Sequence, residues 1–282
     1  MLTPLPDIML EPVVRATLLE DLGRAGDITT DAIVPPDHRS RLALGARQDG
    51  VVAGLDLARI AFRLMDPDID MIVHRPDGAP VRAGEAIATL SGSTRGLLTA
   101  ERTALNLLCR LSGIATATAG LVDAVRGHRA SIVCTRKTTP GLRALEKYAV
   151  RAGGGGNHRF GLDDAILIKD NHVAIAGGIR PALQRARNHA GHMVKIELEV
   201  DSLDQLREAM EIGVDAVLLD NMGPEMLAEG VSIIAGRAIS EASGRITPQT
   251  APAIAASGVD LISCGWITHS AAILDIGFDH LD

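Results

Sequence analysis

Apolar residues Met9, Val13, Ala16 and Leu19 recur at helical spacing over residues 8–22, and Gly23 supplies a stop, so the chain is predicted to begin with a helix. Short alternating or apolar runs at 41–47, 69–74 and 86–90 predict strands. A helix over 55–65 and a turn at Pro76-Asp77-Gly78 interrupt them. Residues 99–111 read as a helix with Ala100, Ala104, Leu107, Leu108 and Leu111 on one side.

Beyond this helix the pattern changes. Strand-like runs at 131–135, 165–168, 194–198, 216–219, 237–240 and 260–263 alternate with amphipathic helices, which implies a parallel sheet or barrel. Ser202 and Gln205 form a capping box, and Gly213 closes the helix that follows it. Thr247-Pro248 is expected to start another helix and Gly258 to end it. No low-complexity linker is present. The change of pattern alone places a domain boundary near Ser112, giving an N-terminal domain of residues 1–112 and a second of 113–282, with the last residues free to pack back on the first domain.

Composition narrows the function classes. A chain of 282 residues, 46% hydrophobic and 22% charged, is globular. A net charge of -7 and five aromatic residues (Phe62, Tyr148, Phe160, Trp266, Phe278) argue against nucleic acid as a partner. Cys109, Cys134 and Cys264 are odd in number and widely spaced, which suggests buried thiols and not a disulfide framework or zinc site. Residues 1–10 lack a secretory pattern and no membrane-length apolar run occurs, so a cytoplasmic protein is expected.

In parallel α/β folds, functional side chains sit at the C-terminal ends of strands. Here those ends carry Arg136-Lys137, Lys169, Glu199, Asp220, residues 241–244 and residues 263–265. The segment 134–172 holds seven of the 28 basic residues against four acids, a local excess that attracts anions. Arg136 and Lys137, before Thr138-Thr139-Pro140-Gly141, suit carboxylate or phosphate contacts. Arg143, Lys147 and Arg151 recur every four residues, and a solvated helix face explains them as well as a ligand role does; only Arg143 is retained as a weak candidate. The run Gly153 to Gly156 before Asn157-His158-Arg159 suggests backbone that approaches a ligand closely. His172 reads as a structural hydrogen-bonding residue. Glu199 and Asp220 either pair with lysines, bind Mg²⁺ bridged to a diphosphate, or stabilise a developing sugar cation. Ser243-Gly244 and Gly265 precede helix starts, an arrangement suited to phosphate.

Five motifs occur in order: Glu101-Arg102-Thr103-Ala104-Leu105-Asn106, then Thr135-Arg136-Lys137-Thr138-Thr139-Pro140-Gly141-Leu142-Arg143, then Gly154-Gly155-Gly156-Asn157-His158-Arg159, then Lys169-Asp170-Asn171-His172, then Leu219-Asp220-Asn221. Together they closely resemble the quinolinate phosphoribosyltransferase family. Gly26-Asp27-Ile28-Thr29-Thr30, Ala53-Gly54 and residues 263–270 extend the resemblance over nearly the whole chain.

The resemblance implies an N-terminal α/β sandwich followed by an incomplete TIM-like α/β barrel of parallel strands, working as a homodimer. It implies transfer from 5-phosphoribosyl-1-diphosphate to quinolinate with decarboxylation, yielding nicotinate mononucleotide for NAD biosynthesis. By the same resemblance the quinolinate carboxylates meet Arg136, His158 and Arg159, with Lys137 and Lys169 nearby and Arg102 reaching in from the other subunit. Glu199 and Asp220 match the acidic pair near ribose and metal; Ser243, Gly244, Ser263, Gly265 and His269 match the phosphate region. Lys137, Lys169, Glu199 and Asp220 are the candidate catalytic residues. Mg²⁺ is expected mainly through the diphosphate, with Glu199 and Asp220 as candidate direct ligands. Trp266 departs from the family's usual small residue and either narrows the phosphate loop or packs outward. The competing readings are a nicotinate-using transferase, a related family associated with molybdenum transport, and a non-catalytic sensor of phosphate ligands. The abundance of cations, the Lys169-Asp170-Asn171-His172 signature and the acidic pair Glu199 and Asp220 weigh against them in turn.

Overall fold

A computed structural model describes residues 2–281. In chain order the elements are α1 (Asp7–Leu22), α2 (Ile28–Ile33), β1 (Arg39–Ala46), β2 (Gly50–Val51), α3 (Leu55–Met65), β3 (Asp70–Val73), β4 (Pro80–Val81), β5 (Ala86–Ser93) and α4 (Thr94–Ala124). Then follow β6 (Ser131–Val133), α5 (Arg143–Ala152), β7 (Ile166–Ile168), α6 (Asp170–Ala176), α7 (Ile179–His189), β8 (Ile196–Val200) and α8 (Leu203–Ile212). The remainder is β9 (Ala216–Asp220), α9 (Pro224–Ile234), β10 (Ile239–Ser243), α10 (Ala251–Ala256), β11 (Leu261–Ser263), α11 (Trp266–His269) and β12 (Ile276–His280).

The chain forms two compact units, the first made of residues 1–119, 144–154 and 270–282 and the second of 120–143 and 155–269. These packing units cross the expected sequence cut at Ser112, because residues 144–154 and 270–282 join the first unit. Strand β12 pairs antiparallel with β1, which ties the C-terminal segment to the first unit. Helix α5 is tied there by the Tyr148 hydroxyl, which donates to Asp77 at 2.7 Å, and by Glu146, which meets Arg110 at 2.9 Å.

In the first unit the antiparallel sheet has the order β12-β1-β5-β3. Leu44, Phe62, Ile87, Leu90, Leu97 and Leu108 are fully buried, and the Phe62 and Phe278 rings lie 5.6 Å apart. Burying such side chains is the main favourable term in folding, at about 1.5–3 kcal/mol each. Helix α4 is long and apolar enough to cross a membrane by length and composition, yet 61% of its most apolar stretch is buried inside the protein. It also exceeds the expected helix at both ends. Thr116 and Thr118 return their hydroxyls to the carbonyls four residues earlier, so polar residues that interrupt the pattern leave the helix intact.

The second unit is built on a parallel sheet of order β6-β11-β10-β9-β8-β7, the expected open barrel with its gap between β6 and β7. Beside β6 runs Gly156, whose N–H donates to Ile132 O at 2.8 Å while its own carbonyl accepts from Cys134 N. A Cβ on Gly156 would lie 3.3 Å from Val133, and one on Gly153, within the first unit, 2.3 Å from Ala115 O. Close approach of backbone to the protein's own chain thus accounts for Gly153 and Gly156. The Ser202 cap forms as expected, although Gln205 completes it by accepting from Asp201 N and not from Ser202 N. Thr247 and Thr250 instead close a turn before α10, which starts later than Thr247-Pro248 suggested.

Candidate active site

Strand periodicity places the candidate side chains. Strand β8 reads Ile196-Glu197-Leu198-Glu199-Val200, and a period of two puts both glutamates on one face. In register, Glu199 lies beside Leu218 of β9, Leu218 beside Glu241 of β10, and Asp220 beside Ser243. Inward residues of neighbouring strands therefore stack in layers, the deeper one topped by the strand ends.

A cavity of about 280 Å³ opens over them, bringing together Arg136, Lys137, His158, Arg159, Lys169, Glu199, Asp220, Ser243 and Ser263. An adjoining cavity of about 350 Å³ shares Lys137, Asp220, Ser243 and Ser263 and adds Gly244, Gly265, Trp266 and His269. Every sequence-predicted site residue except Arg102 and the weak candidate Arg143 lines one of the two. Arg102 is on α4 in the first unit, exposed, beside a separate cavity with Asp27 and Thr99. A larger hollow of about 380 Å³, lined by Leu183, Arg187, Ala190 and Asp215, contains none of these residues, so volume alone does not mark the site.

The cations are held by different means. Arg159 donates to Ala165 O at 3.1 Å; burial, and then the neighbouring Arg136 charge, lower its pKa. Arg136 Nε is buried without a hydrogen-bond partner. Two guanidiniums this close, one with an unmet donor, are suited to a bound carboxylate. Lys169 pairs with Glu199 at 2.5 Å, and Asp220 accepts from the Asn221 amide at 2.6 Å. Arg143 lines neither cavity; it braces the loop through Thr138 and Phe160 O. Lys147 is buried, as is Glu146, so the solvated helix face allowed by its spacing is not what forms. His172 accepts from Lys169 N at 2.9 Å and starts α6.

Glu241, expected only as part of the strand end 241–244, lines the first cavity, and Glu197, which sequence reasoning passed over, lies beside it. Glu197 and Glu241 both face His158, at 2.9 and 3.5 Å. Burial, and then the charge on Glu197, push Glu241 up to about 7. The available signal was periodicity: Glu197 is two residues before Glu199, and Glu241 two before Ser243, on the same inward faces. Trp266 packs onto the second cavity's loop, where its ring N–H donates to Ile246 O at 2.9 Å.

An open barrel of parallel strands, with clustered cations, a carboxylate pair and glycine-edged loops around joined cavities, defines an α/β protein built to bind a small polyanion. The chain belongs to the quinolinate phosphoribosyl transferase family, whose N-terminal domain matches residues 27–112 and whose C-terminal domain matches residues 114–279. It is 44% identical to a probable nicotinate-nucleotide pyrophosphorylase [carboxylating] of Bacillus subtilis, covering 96% of this chain and 93% of that one. With the nicotinate-nucleotide pyrophosphorylase [carboxylating] of Mycobacterium leprae the identity is 45%, over 94% and 95% of the two chains. The crystal structure of NadC from Streptococcus pyogenes superposes with a TM-score of 0.95 at 41% identity, covering 99% of this chain and all of that one.

Proposed function

We propose that this chain is an enzyme that transfers the phosphoribosyl group of 5-phosphoribosyl-1-diphosphate to quinolinate. It releases diphosphate and CO₂ and leaves nicotinate mononucleotide, a step of NAD biosynthesis. The observation that carries this reading is the joined cavity pair: clustered guanidiniums with an unmet Arg136 donor on one side, glycine-edged loops on the other, and Asp220 in the shared wall.

Arg136 and Arg159, with Lys137 and Lys169, hold the pyridine dicarboxylate, because a dianion needs several fixed donors and a planar guanidinium sets its orientation. The loops at Ser243-Gly244 and Ser263 to Gly265, with His269, take the sugar phosphate. The pyridine nitrogen attacks the ribose carbon as diphosphate leaves, and Glu199 and Asp220 offset the positive charge that builds on the sugar. Once the nitrogen is quaternary, the 2-carboxylate departs as CO₂, the electron pair left on C2 is stabilised by the adjacent cationic nitrogen, and C2 takes up a proton from solvent to give nicotinate mononucleotide. Full neutralisation of that carboxylate would oppose its loss, so the other carboxylate supplies most of the binding energy. Glu199 and Asp220 offer the hard oxygen donors that would hold Mg²⁺, and the ion would offset the charge of the departing diphosphate.

A homodimer in the cytoplasm completes the proposal. Arg102 is exposed on the first unit and lines a cavity with the exposed apolar residues Ile28 and Leu98, a surface suited to a second copy whose site Arg102 would enter. Cys109, Cys134 and Cys264 are buried and joined in no disulfide, which fits a reducing compartment. The test is to supply the purified protein with Mg²⁺, 5-phosphoribosyl-1-diphosphate and one of quinolinate, nicotinate or nicotinamide, and to identify products by mass. Nicotinate mononucleotide is expected from quinolinate. Its formation from nicotinate alone, or no product from any of the three, would overturn the proposal.

A further inference from the structure

Three described residues other than glycine have a positive φ, and two of them have an ordinary local reason. Ala235 ends α9, where its N–H reaches Val231 O, and Asn221 is of a type whose short amide side chain tolerates this conformation. Arg245, at φ 48°, has neither reason. Its backbone is held from both sides. Gly244 lies so close to Asn221 that a Cβ there would sit 2.3 Å from Asn221 Oδ1, and Ile246 is buried with its carbonyl accepting from the Trp266 ring N–H at 2.9 Å. The loop thus forces residue 245 into the left-handed region, where a glycine would sit without strain and an arginine does not. Among the described residues the Arg245 side chain makes no hydrogen bond or ion pair, so no contact within the protein offsets that strain. Arg245 is exposed, and it lines the second cavity together with Lys137, Ser263, Gly265 and His269.

We propose that Arg245 is a substrate-binding residue, whose guanidinium takes the 5-phosphate of 5-phosphoribosyl-1-diphosphate in the second cavity while Trp266 holds its loop in place. The inference rests on the proposed phosphoribosyl transfer and adds one cation to that site. Charge supplies the reason. A phosphate monoester carries nearly two negative charges near neutral pH, which hydroxyls and backbone N–H groups can solvate but not neutralise. A guanidinium is always charged and its planar fork matches two phosphate oxygens at once. Because the main chain on either side of Arg245 is already fixed, less freedom is lost when the anion arrives.

The test is calorimetry of the full chain with ribose 5-phosphate, inorganic diphosphate and quinolinate in turn, for the parent and for Arg245→Gly. Glycine suits the left-handed backbone, so the variant is expected to fold and to melt no lower than the parent. Its affinity for ribose 5-phosphate is expected to fall about tenfold, the low end for a charged hydrogen bond because the guanidinium is exposed to solvent. Affinities for diphosphate and quinolinate are expected to change less than about twofold, since neither ligand carries the 5-phosphate. Arg245→Lys keeps the charge without the planar fork and is expected to fall between parent and glycine variant. Ribose 5-phosphate bound equally well by the parent and Arg245→Gly would overturn the inference, as would a loss for diphosphate as large as that for ribose 5-phosphate. Should Arg245→Gly fail to fold, Arg245→Gln takes its place, with the same loss expected and the same result overturning it. A parent protein that binds ribose 5-phosphate but makes no nicotinate mononucleotide would refute the proposed function alone, because the role of Arg245 is read from binding. A parent that does not bind ribose 5-phosphate would overturn both.

Discussion

At the floor of the first cavity, shape is set by ionisable side chains pressed against one another: Glu241 and Glu197 behind His158, and Arg136 beside Arg159. At the rim of the second cavity it is set by main chain in conformations that few residues adopt, with Gly244 at φ 110° beside Arg245 at 48° and Asn221 at 56°. The difference lies in where each region stores its cost. The floor carries charge that burial disfavours, so its stability responds to pH. The rim carries backbone strain, which does not titrate but tolerates almost no added atoms.

The largest expected effect comes from the floor. The folded chain holds the Glu241 proton up to about pH 7, whereas the unfolded chain releases it near its ordinary 4.5. The stability this group contributes is therefore fully present below pH 4.5 and is lost as pH rises through 7. Glu241→Gln is expected to remove that slope, as read from thermal melts between about pH 5 and 8. An unchanged slope would mean that the buried proton lies elsewhere. Next, Arg136→Ala should weaken quinolinate binding by about 1.5–3 kcal/mol, the usual value of a charged hydrogen bond, with 5-phosphoribosyl-1-diphosphate affected far less. Calorimetry with each ligand separates the two, and equal losses would break the division between floor and rim.

The rim should show the opposite selectivity. A Cβ at Gly244 would lie 2.3 Å from Asn221 Oδ1 in a conformation that side chains rarely adopt. Gly244→Ala is expected to cost about 1–3 kcal/mol, expressed mainly as a raised KM for 5-phosphoribosyl-1-diphosphate. A change confined to the quinolinate KM would contradict this. The smallest effect is expected for Trp266→Phe, which removes the hydrogen bond to Ile246 O and should lower stability by about 0.5–1.5 kcal/mol in denaturant titration. No loss would show that ring packing alone holds the loop.

These two regions were not equally legible in the sequence. The rim announced itself through glycines and hydroxyls at the strand ends, and the cations Arg136, Lys137, Arg159 and Lys169 through their concentration in one segment. Each reads locally. Glu197 did not, because it occupies a position where an apolar side chain is the ordinary expectation, and only partners from other strands explain it. The same distinction holds for the fold. The βα alternation of the second unit repeats along the chain and could be read directly, whereas β12 acquires its meaning from β1, more than two hundred residues earlier. Lys147 lies on a helix whose fourfold charge spacing suggests solvent, yet it is buried. Burial of a charge is decided by packing, which local spacing does not encode.

The most direct measurement of the central claim follows the carboxyl carbon. Quinolinate labelled with ¹³C in its 2-carboxyl group is incubated with the protein, Mg²⁺ and 5-phosphoribosyl-1-diphosphate, and the label is traced alongside the diphosphate released. The expected result is labelled CO₂ in equal amount to diphosphate, with unlabelled nicotinate mononucleotide as the nucleotide product. Label retained in the nucleotide, or diphosphate released only when nicotinate replaces quinolinate, would contradict it.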